Sequence, residues 1–243
     1  GGQIVEDIPV FNSVQDALQR VGPADAASIY VPAVAAISAI KEAVRARIPL
    51  VHMLTEAIPY KDLAYMKELC KNNGIRLLGP GSLGILVVGE GRIGMLGGLK
   101  PEYRPGAVSI ISRSGGMANE IAQYLLRHSL GIRTIVHLGS EPISGTSLVE
   151  QLHELFLDDG TKTVVVFEEV THTAIQELHH ALHTSDFLKK PLVMTFGGMS
   201  QAIIPQGVPF GHVDALMKRD ARSLEQEIAA LKDAGVQVVD SYE

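Results

Sequence analysis

Cysteine is nearly absent: Cys70 is the only one in 243 residues. That excludes a disulfide framework and a cysteine-based zinc site. No apolar run reaches the ~18 residues that a membrane-spanning helix needs, and no secretory signal is visible. Basic stripes are missing too. Lys and Arg number 21 against 27 Asp and Glu, a net charge of −6 with both signs interspersed, which argues against a nucleic-acid partner. No short-period repeat or low-complexity segment interrupts the chain. A reducing, aqueous compartment is expected, the cytoplasm, with neither membrane nor nucleic acid as partner. What is abundant is apolar: 46% of the residues are hydrophobic, enough for one or two domains with real cores.

Short apolar runs alternate with helical patterns. Strands are expected at 27–31, 49–54 and 75–78, with helices at 33–46 and 60–72 between them and Asn73-Gly74 as a helix stop. A second series places strands at 107–111, 133–138, 163–168, 191–196 and 236–239, and helices at 116–128, 147–157, 172–185 and 222–234. Such alternation argues for parallel sheets covered by helices on both faces. The Pro- and charge-rich stretch Lys100 to Gly106 marks the expected boundary, giving domains 1–104 and 105–243. Ligands of such sheets sit at the carboxyl ends of strands.

One of those ends stands out. Tyr103 to Glu120 reads as a strand, a Ser/Gly turn and the start of a helix. Ser114 is a natural helix cap. Capping does not explain Gly115 and Gly116 in the first turn, where each glycine costs about 1 kcal/mol against alanine. Backbone N–H groups at a helix start, with no Cβ in the way, suit a bound phosphate. About a hundred residues later, Phe210-Gly211-His212 puts a lone His on a loop. Taken alone it would be an ordinary surface or structural His. Beside an anion-binding helix end it suggests phosphate carried on an imidazole. Glu169 closes the strand at 163–168 and is a candidate to orient that ring by accepting from Nδ1–H, leaving Nε2 as nucleophile. Glu168 takes the role if the register is one residue off, and two solvated acids capping the next helix remain an open reading.

Other motifs carry less. Gly89-Glu90-Gly91-Arg92-Ile93-Gly94 fits the dinucleotide pattern G-x-G-x-x-G, but no good helix follows, so a hairpin-like turn is preferred over a nicotinamide or flavin site. His179 and His183 share a helix face as metal ligands can, yet lack an obvious third ligand, and a solvated face is preferred. His153-Glu154 begins a zinc-protease pattern that Leu157 breaks. No metal site is expected.

Together, 103–120 and 210–212 resemble the α subunit of NDP-forming acyl-CoA ligases, the family of succinyl-CoA synthetase, malate-CoA ligase and ATP-citrate lyase. The resemblance runs from Ile8-Pro9-Val10-Phe11 to Ala234-Gly235-Val236, and the wording of 103–120 is nearest the ATP-citrate lyase branch. It implies a Rossmann-like CoA-binding domain over 1–104, lacking its first strand and Gly-rich loop ahead of Ile8, followed by a flavodoxin-like ligase domain over 105–243. It implies His212 as the phosphorylated residue, Ser114, Gly115 and Gly116 as its phosphate site, and Glu169 as its support. Val31, Pro32 and Ala33, with Leu54, Thr55 and Glu56, stand where the family lines its CoA site. Asn119 stands where the acid substrate is contacted. The implied reaction is ATP-driven synthesis of an acyl-CoA from a di- or tricarboxylic acid through a phosphohistidine and an acyl phosphate. ATP and Mg²⁺ would be held by an ATP-grasp β-type partner, in a heterodimer or heterotetramer. Val213-Asp214 replaces the family's Ala-Gly after the His, and Thr171-His172 replaces two glycines. These departures keep a non-catalytic acyl-CoA or nucleotide-binding module of the same fold as the alternative. The acid, the nucleotide and the oligomeric state are left open.

Overall fold

The computed structural model describes residues 1–98, 103–169, 172–184, 187–197 and 224–241. A small antiparallel hairpin, β1 (Ile4–Val5) and β2 (Ile8–Pro9), comes first, and α1 (Val14–Val21) follows, capped by Ser13. Then β3 (Ala26–Ile29), α2 (Ala33–Arg45), β4 (Leu50–Met53), α3 (Tyr60–Asn72) and β5 (Arg76–Leu78) alternate, and the three strands form one parallel sheet in the order β3-β4-β5. The helices belong there because their apolar residues repeat on one face. α2 buries Ala36, Ile40, Ala43 and Val44, and α3 buries Leu63, Met66 and Cys70, the spacing of a single helical stripe.

The second sheet has seven strands. They are β6 (Gly84–Val87), β7 (Gly91–Gly94), β8 (Pro105–Ser112), β9 (Ile132–His137), β10 (Thr163–Glu169), β11 (Leu192–Gly197) and β12 (Gln237–Val238), in the order β12-β11-β10-β8-β9-β6-β7. Helices α4 (Gly115–Arg127), α5 (Leu148–Leu157), α6 (His172–His183) and α7 (Leu224–Asp233) connect them. Strands β8 to β12 are mutually parallel, and β6 and β7 add an antiparallel edge beside β9. In β8, Ile110 and Ile111 are both fully buried, one on each face of the sheet, in different apolar clusters. This two-sided burial is why the parallel strands read as continuous apolar runs rather than alternating ones.

The five parallel strands have the flavodoxin-like order 2-1-3-4-5 when counted from β8. Connections leave the first strand toward opposite edges, so a crevice opens at the carboxyl ends of β8 and β10. The sheets divide the chain earlier than its composition does. Residues 84–94 hydrogen-bond into the large sheet, ahead of the 104/105 boundary, because β6 finds its partner in β9 rather than in β5. Gly84 and Gly94 face each other across the hairpin. A Cβ on Gly94 would lie 2.3 Å from the Leu83 carbonyl oxygen, and one on Gly84 1.9 Å from that of Ile93. Gly94 therefore serves a strand contact, and the 89–94 string is a hairpin, not a dinucleotide loop. No helix among the described residues is long and apolar enough to cross a membrane.

Candidate functional site

At the crevice, β8 runs into Ser112-Arg113-Ser114 and α4 begins. The turn is held by a fully buried side chain: Ser112 Oγ donates to the Ser114 carbonyl at 2.6 Å and accepts from the Ser114 N–H at 3.0 Å. Ser114 is the N-cap, its Oγ accepting from Met117 N at 3.4 Å and its carbonyl from Ala118 N. The N–H groups of Gly115 and Gly116 therefore stand ahead of the helical ladder. Helix α5 offers a contrast. Its cap Ser147 is matched by Glu150 in a reciprocal capping box, which brings a carboxylate to the positive helix end. Helix α4 has no acidic residue in its first turn. Its positive end is not offset by its own side chains.

The two glycines differ. A Cβ on Gly115 would lie 2.2 Å from Leu83 Cδ1 and 3.3 Å from His137 Nδ1, so glycine is needed there for packing. At Gly116 the nearest atom to a Cβ would be Ser114 Oγ at 3.9 Å, and the residue is exposed. Among the described residues, protein packing thus accounts for Gly115 and leaves Gly116 open.

Strand β10 ends beside this turn, and Arg113 N donates to the Phe167 carbonyl at 3.1 Å. The next two residues point to opposite faces, as strand geometry requires. Glu168 is fully buried and ion-pairs with Arg113 at 3.6 Å, while Glu169 is half-buried at the strand end. The same guanidinium donates to the Glu141 carbonyl at 3.1 Å and to Ser144 Oγ. Arg113 so ties together the ends of β8, β10 and the loop after β9. Asn119 sits one turn into α4. Its Oδ1 accepts from Tyr103 OH at 2.9 Å and from Gly97 N at 3.1 Å, and its Nδ2 donates to the Gly115 carbonyl at 3.1 Å. These bonds hold the 95–98 segment on α4, with Leu96 fully buried beneath it.

In the smaller sheet, Thr55 Oγ1 donates to the Val31 carbonyl at 2.6 Å. The segments 31–33 and 54–56 therefore meet at the carboxyl ends of β3 and β4. Glu56 reaches the large sheet, accepting from Ser140 Oγ at 2.8 Å. Under this face His52 is fully buried, its Nδ1 3.1 Å from Ser28 Oγ and its Nε2 donating to the Ser82 carbonyl at 2.8 Å. Burial lowers its pKa below the usual imidazole value, and the Ser82 bond opposes that. His212 lies outside the described residues, as do Val213, Asp214 and Thr171. The His179 and His183 rings meet edge to face, Nε2 to Nε2 at 3.1 Å. Among the described residues, no group of three His, Cys, Asp or Glu is placed to hold a metal.

Sequence reasoning gave Arg113 and His137 no role. Arg113 had a signal, being a charge wedged between an apolar strand and a cap. His137 had only its place at the end of an apolar run.

The family described as "CoA binding domain" matches residues 1–57, and that described as "Succinyl-CoA ligase like flavodoxin domain" matches 105–243. The α subunit of succinate–CoA ligase (ADP-forming) from Staphylococcus epidermidis is 33% identical over 241 residues, covering 99% of this chain and 77% of its own length. The Staphylococcus aureus subunit is 34% identical over 236 residues.

The chain belongs to the succinate–CoA ligase α-subunit family.

The family's class is that of NDP-forming acid–thiol ligases, and the chain is of its α type. Among solved structures, ATP citrate lyase from Methanothrix soehngenii, in complex with citrate and coenzyme A, superposes with a TM-score of 0.89 at 24% identity. This chain covers 39% of that one, and the likeness is one of fold. The flavodoxin-like match begins at 105, and the hydrogen-bonded sheet adds the hairpin at 84–94 ahead of it.

Proposed function

We propose that this chain is the phosphohistidine-bearing half of an acid–CoA ligase and works with an ATP-grasp β-type partner. His212 Nε2 attacks the γ-phosphorus of ATP and ADP leaves. A carboxylate oxygen of the acid substrate then takes the phosphoryl group, returning the His and forming an acyl phosphate. The CoA sulfur attacks the acyl carbon and inorganic phosphate leaves. Each step is covalent catalysis that divides one hard condensation. The observation that carries the reading is the start of α4: a capped helix end with no acid in its first turn, open at Gly116, at the switch point of the sheet beside Glu169.

In this reading the Gly115 and Gly116 N–H groups receive the phosphoryl oxygens, and Glu169 fixes the tautomer of His212. Residues 31–33 and 54–56 face CoA. Asn119 presents its second Nδ2 proton to the acid, a di- or tricarboxylate. Mg²⁺, held with ATP on the partner, would neutralise phosphate charge during transfer. The two domains, 1–104 and 105–243, carry the thioester and phosphoryl halves, in the cytoplasm.

The test is incubation of the chain and its β-type partner with labelled ATP. Acid-labile, base-stable phosphate is expected on the wild type and none on His212→Asn, with Glu169→Gln and Gly116→Val reduced. Undiminished ligase activity in His212→Asn would sink the reading. CoA binding without any phosphate incorporation would point instead to a non-catalytic module of the same fold.

A further inference from the structure

We propose that His137 is a positioning residue that sets the phosphate-binding turn, an inference that rests on the function just argued. His137 closes β9 beside Ser112 of β8 and is 4% exposed. Its two ring nitrogens meet groups of opposite kind. Nδ1 lies 2.8 Å from the Leu83 backbone N–H, which can only donate. Nε2 lies 2.9 Å from the Arg113 carbonyl, which can only accept. The geometry therefore fixes one tautomer, neutral with the proton on Nε2.

This ring hydrogen-bonds to both the connector at Leu83 and the turn at Arg113. Arg113 is the residue before the Ser114 cap. Leu83 is the side chain against which Gly115 packs, and the same Gly115 position borders His137 Nδ1. The imidazole, Leu83 and the first helical residue are thus mutual neighbours, and the ring sets how far the 112–116 turn stands from the connector. That connector is itself anchored. Ser82 Oγ donates to the His137 carbonyl and accepts from Gly84 N, Gly81 N donates to the Thr55 carbonyl, and His52 donates to the Ser82 carbonyl. A line of hydrogen bonds thus runs from the 54–56 segment to the start of α4, with His137 as its last link. Its effect falls on the placement of the Gly115 and Gly116 N–H groups, and so on phosphoryl transfer rather than on CoA affinity.

The test compares three variants in the assembled enzyme with its β-type partner. His137→Gln keeps an amide donor toward Arg113, His137→Asn keeps an acceptor toward Leu83, and His137→Leu keeps neither. Single-turnover formation of phosphohistidine, KM for CoA and thermal midpoint are read for each. The Leu and Asn variants are expected to phosphorylate about tenfold more slowly, the size of one ordinary hydrogen bond. His137→Gln should recover to within about threefold while melting no higher than His137→Asn, with KM for CoA unchanged throughout. Rates that simply follow the thermal midpoints, or a change in KM for CoA alone, would overturn the proposal. If the wild type itself forms no phosphohistidine, the functional reading has failed. The positioning role is then read from the ¹⁵N shifts of the wild-type imidazole. A proton on Nδ1, or on both nitrogens, at pH 7 would overturn it.

Discussion

Gly115 and Gly116 are adjacent and look alike in sequence, yet their substitutions should have opposite signatures. In Gly115→Ala the new Cβ would sit 2.2 Å from Leu83 Cδ1 and 2.9 Å from its Cγ. The first contact is with the end of a flexible side chain and can be relieved. The second is nearer the backbone and needs the connector to give. Overpacking of this kind costs about 1–3 kcal/mol. For a chain of this size each 1 kcal/mol lowers the melting temperature by about 2–4 °C, so a fall of about 2–12 °C is expected. Gly116→Ala meets nothing closer than 3.9 Å and replaces a poor helix former with the best one, a gain of up to about 1 kcal/mol. Its melting temperature should hold or rise. Its phosphohistidine yield should nevertheless fall, because its methyl would be added at the helix start where the phosphate is proposed to bind. Thermal melts and phosphate incorporation on the two variants separate the effects, and Leu83→Ala supplies a control. In that background Gly115→Ala should lose most of its penalty, a coupling that a double-mutant cycle measures directly. Equal destabilisation by both alanines, or full phosphorylation of Gly116→Ala, would refute the assignment of packing to the missing Cβ of Gly115 and ligand space to that of Gly116.

Two further outcomes follow from buried and paired ionisable groups. His52 has its pKa lowered by burial, so the folded chain binds fewer protons than the unfolded one just below pH ~6.5, and stability must fall as pH drops through that value toward the folded pKa. Urea midpoints at pH 7.5, 6.5 and 5.5 should show a steeper loss for the wild type than for His52→Asn, and parallel curves would contradict the buried, neutral assignment. Asp158 is held at about 2, first by the Arg133 hydrogen bond, against the cost of burial, with Thr161 assisting. Its stabilisation is present above the unfolded pKa of about 3.9 and is lost as pH falls toward 2. Both side chains are about a quarter exposed, so solvent screening keeps the pair near 0.5–1 kcal/mol. Asp158→Asn should therefore melt about 1–4 °C lower at pH 7 and no lower than wild type near pH 2, and a constant difference across that range would show that the charge is not the cause.

How much of this was legible in the sequence depends on whether the signal was local. The strands at 107–111, 133–138 and 163–168 appear within a few residues of where their apolar runs place them, because strands buried on both faces leave a continuous signature. The Ser114 cap was legible for the same reason, since a cap, two glycines and an apolar stripe lie within six residues. Strand β6 was missed because Gly84-Ile85-Leu86-Val87 is equally apolar whether it follows β5 in the first sheet or crosses to β9. Only the partner decides, and β9 lies some fifty residues downstream in the pairing of Gly84 with His137. The two acids at 168 and 169 illustrate the same limit. Sequence admitted either as the support for His212, since alternation says only that they face opposite ways. The fold adds that Glu168 is fully buried and ion-pairs with Arg113, while Glu169 is half-buried at the strand end. Gly115 illustrates the limit again. Sequence offered phosphate as the reason for its missing side chain, and the fold adds a packing reason, the approach of Leu83 from thirty-two positions earlier. Sequence thus points to the chemistry where neighbours in the chain would perform it, and it leaves the reason for an individual residue open where a distant segment supplies it.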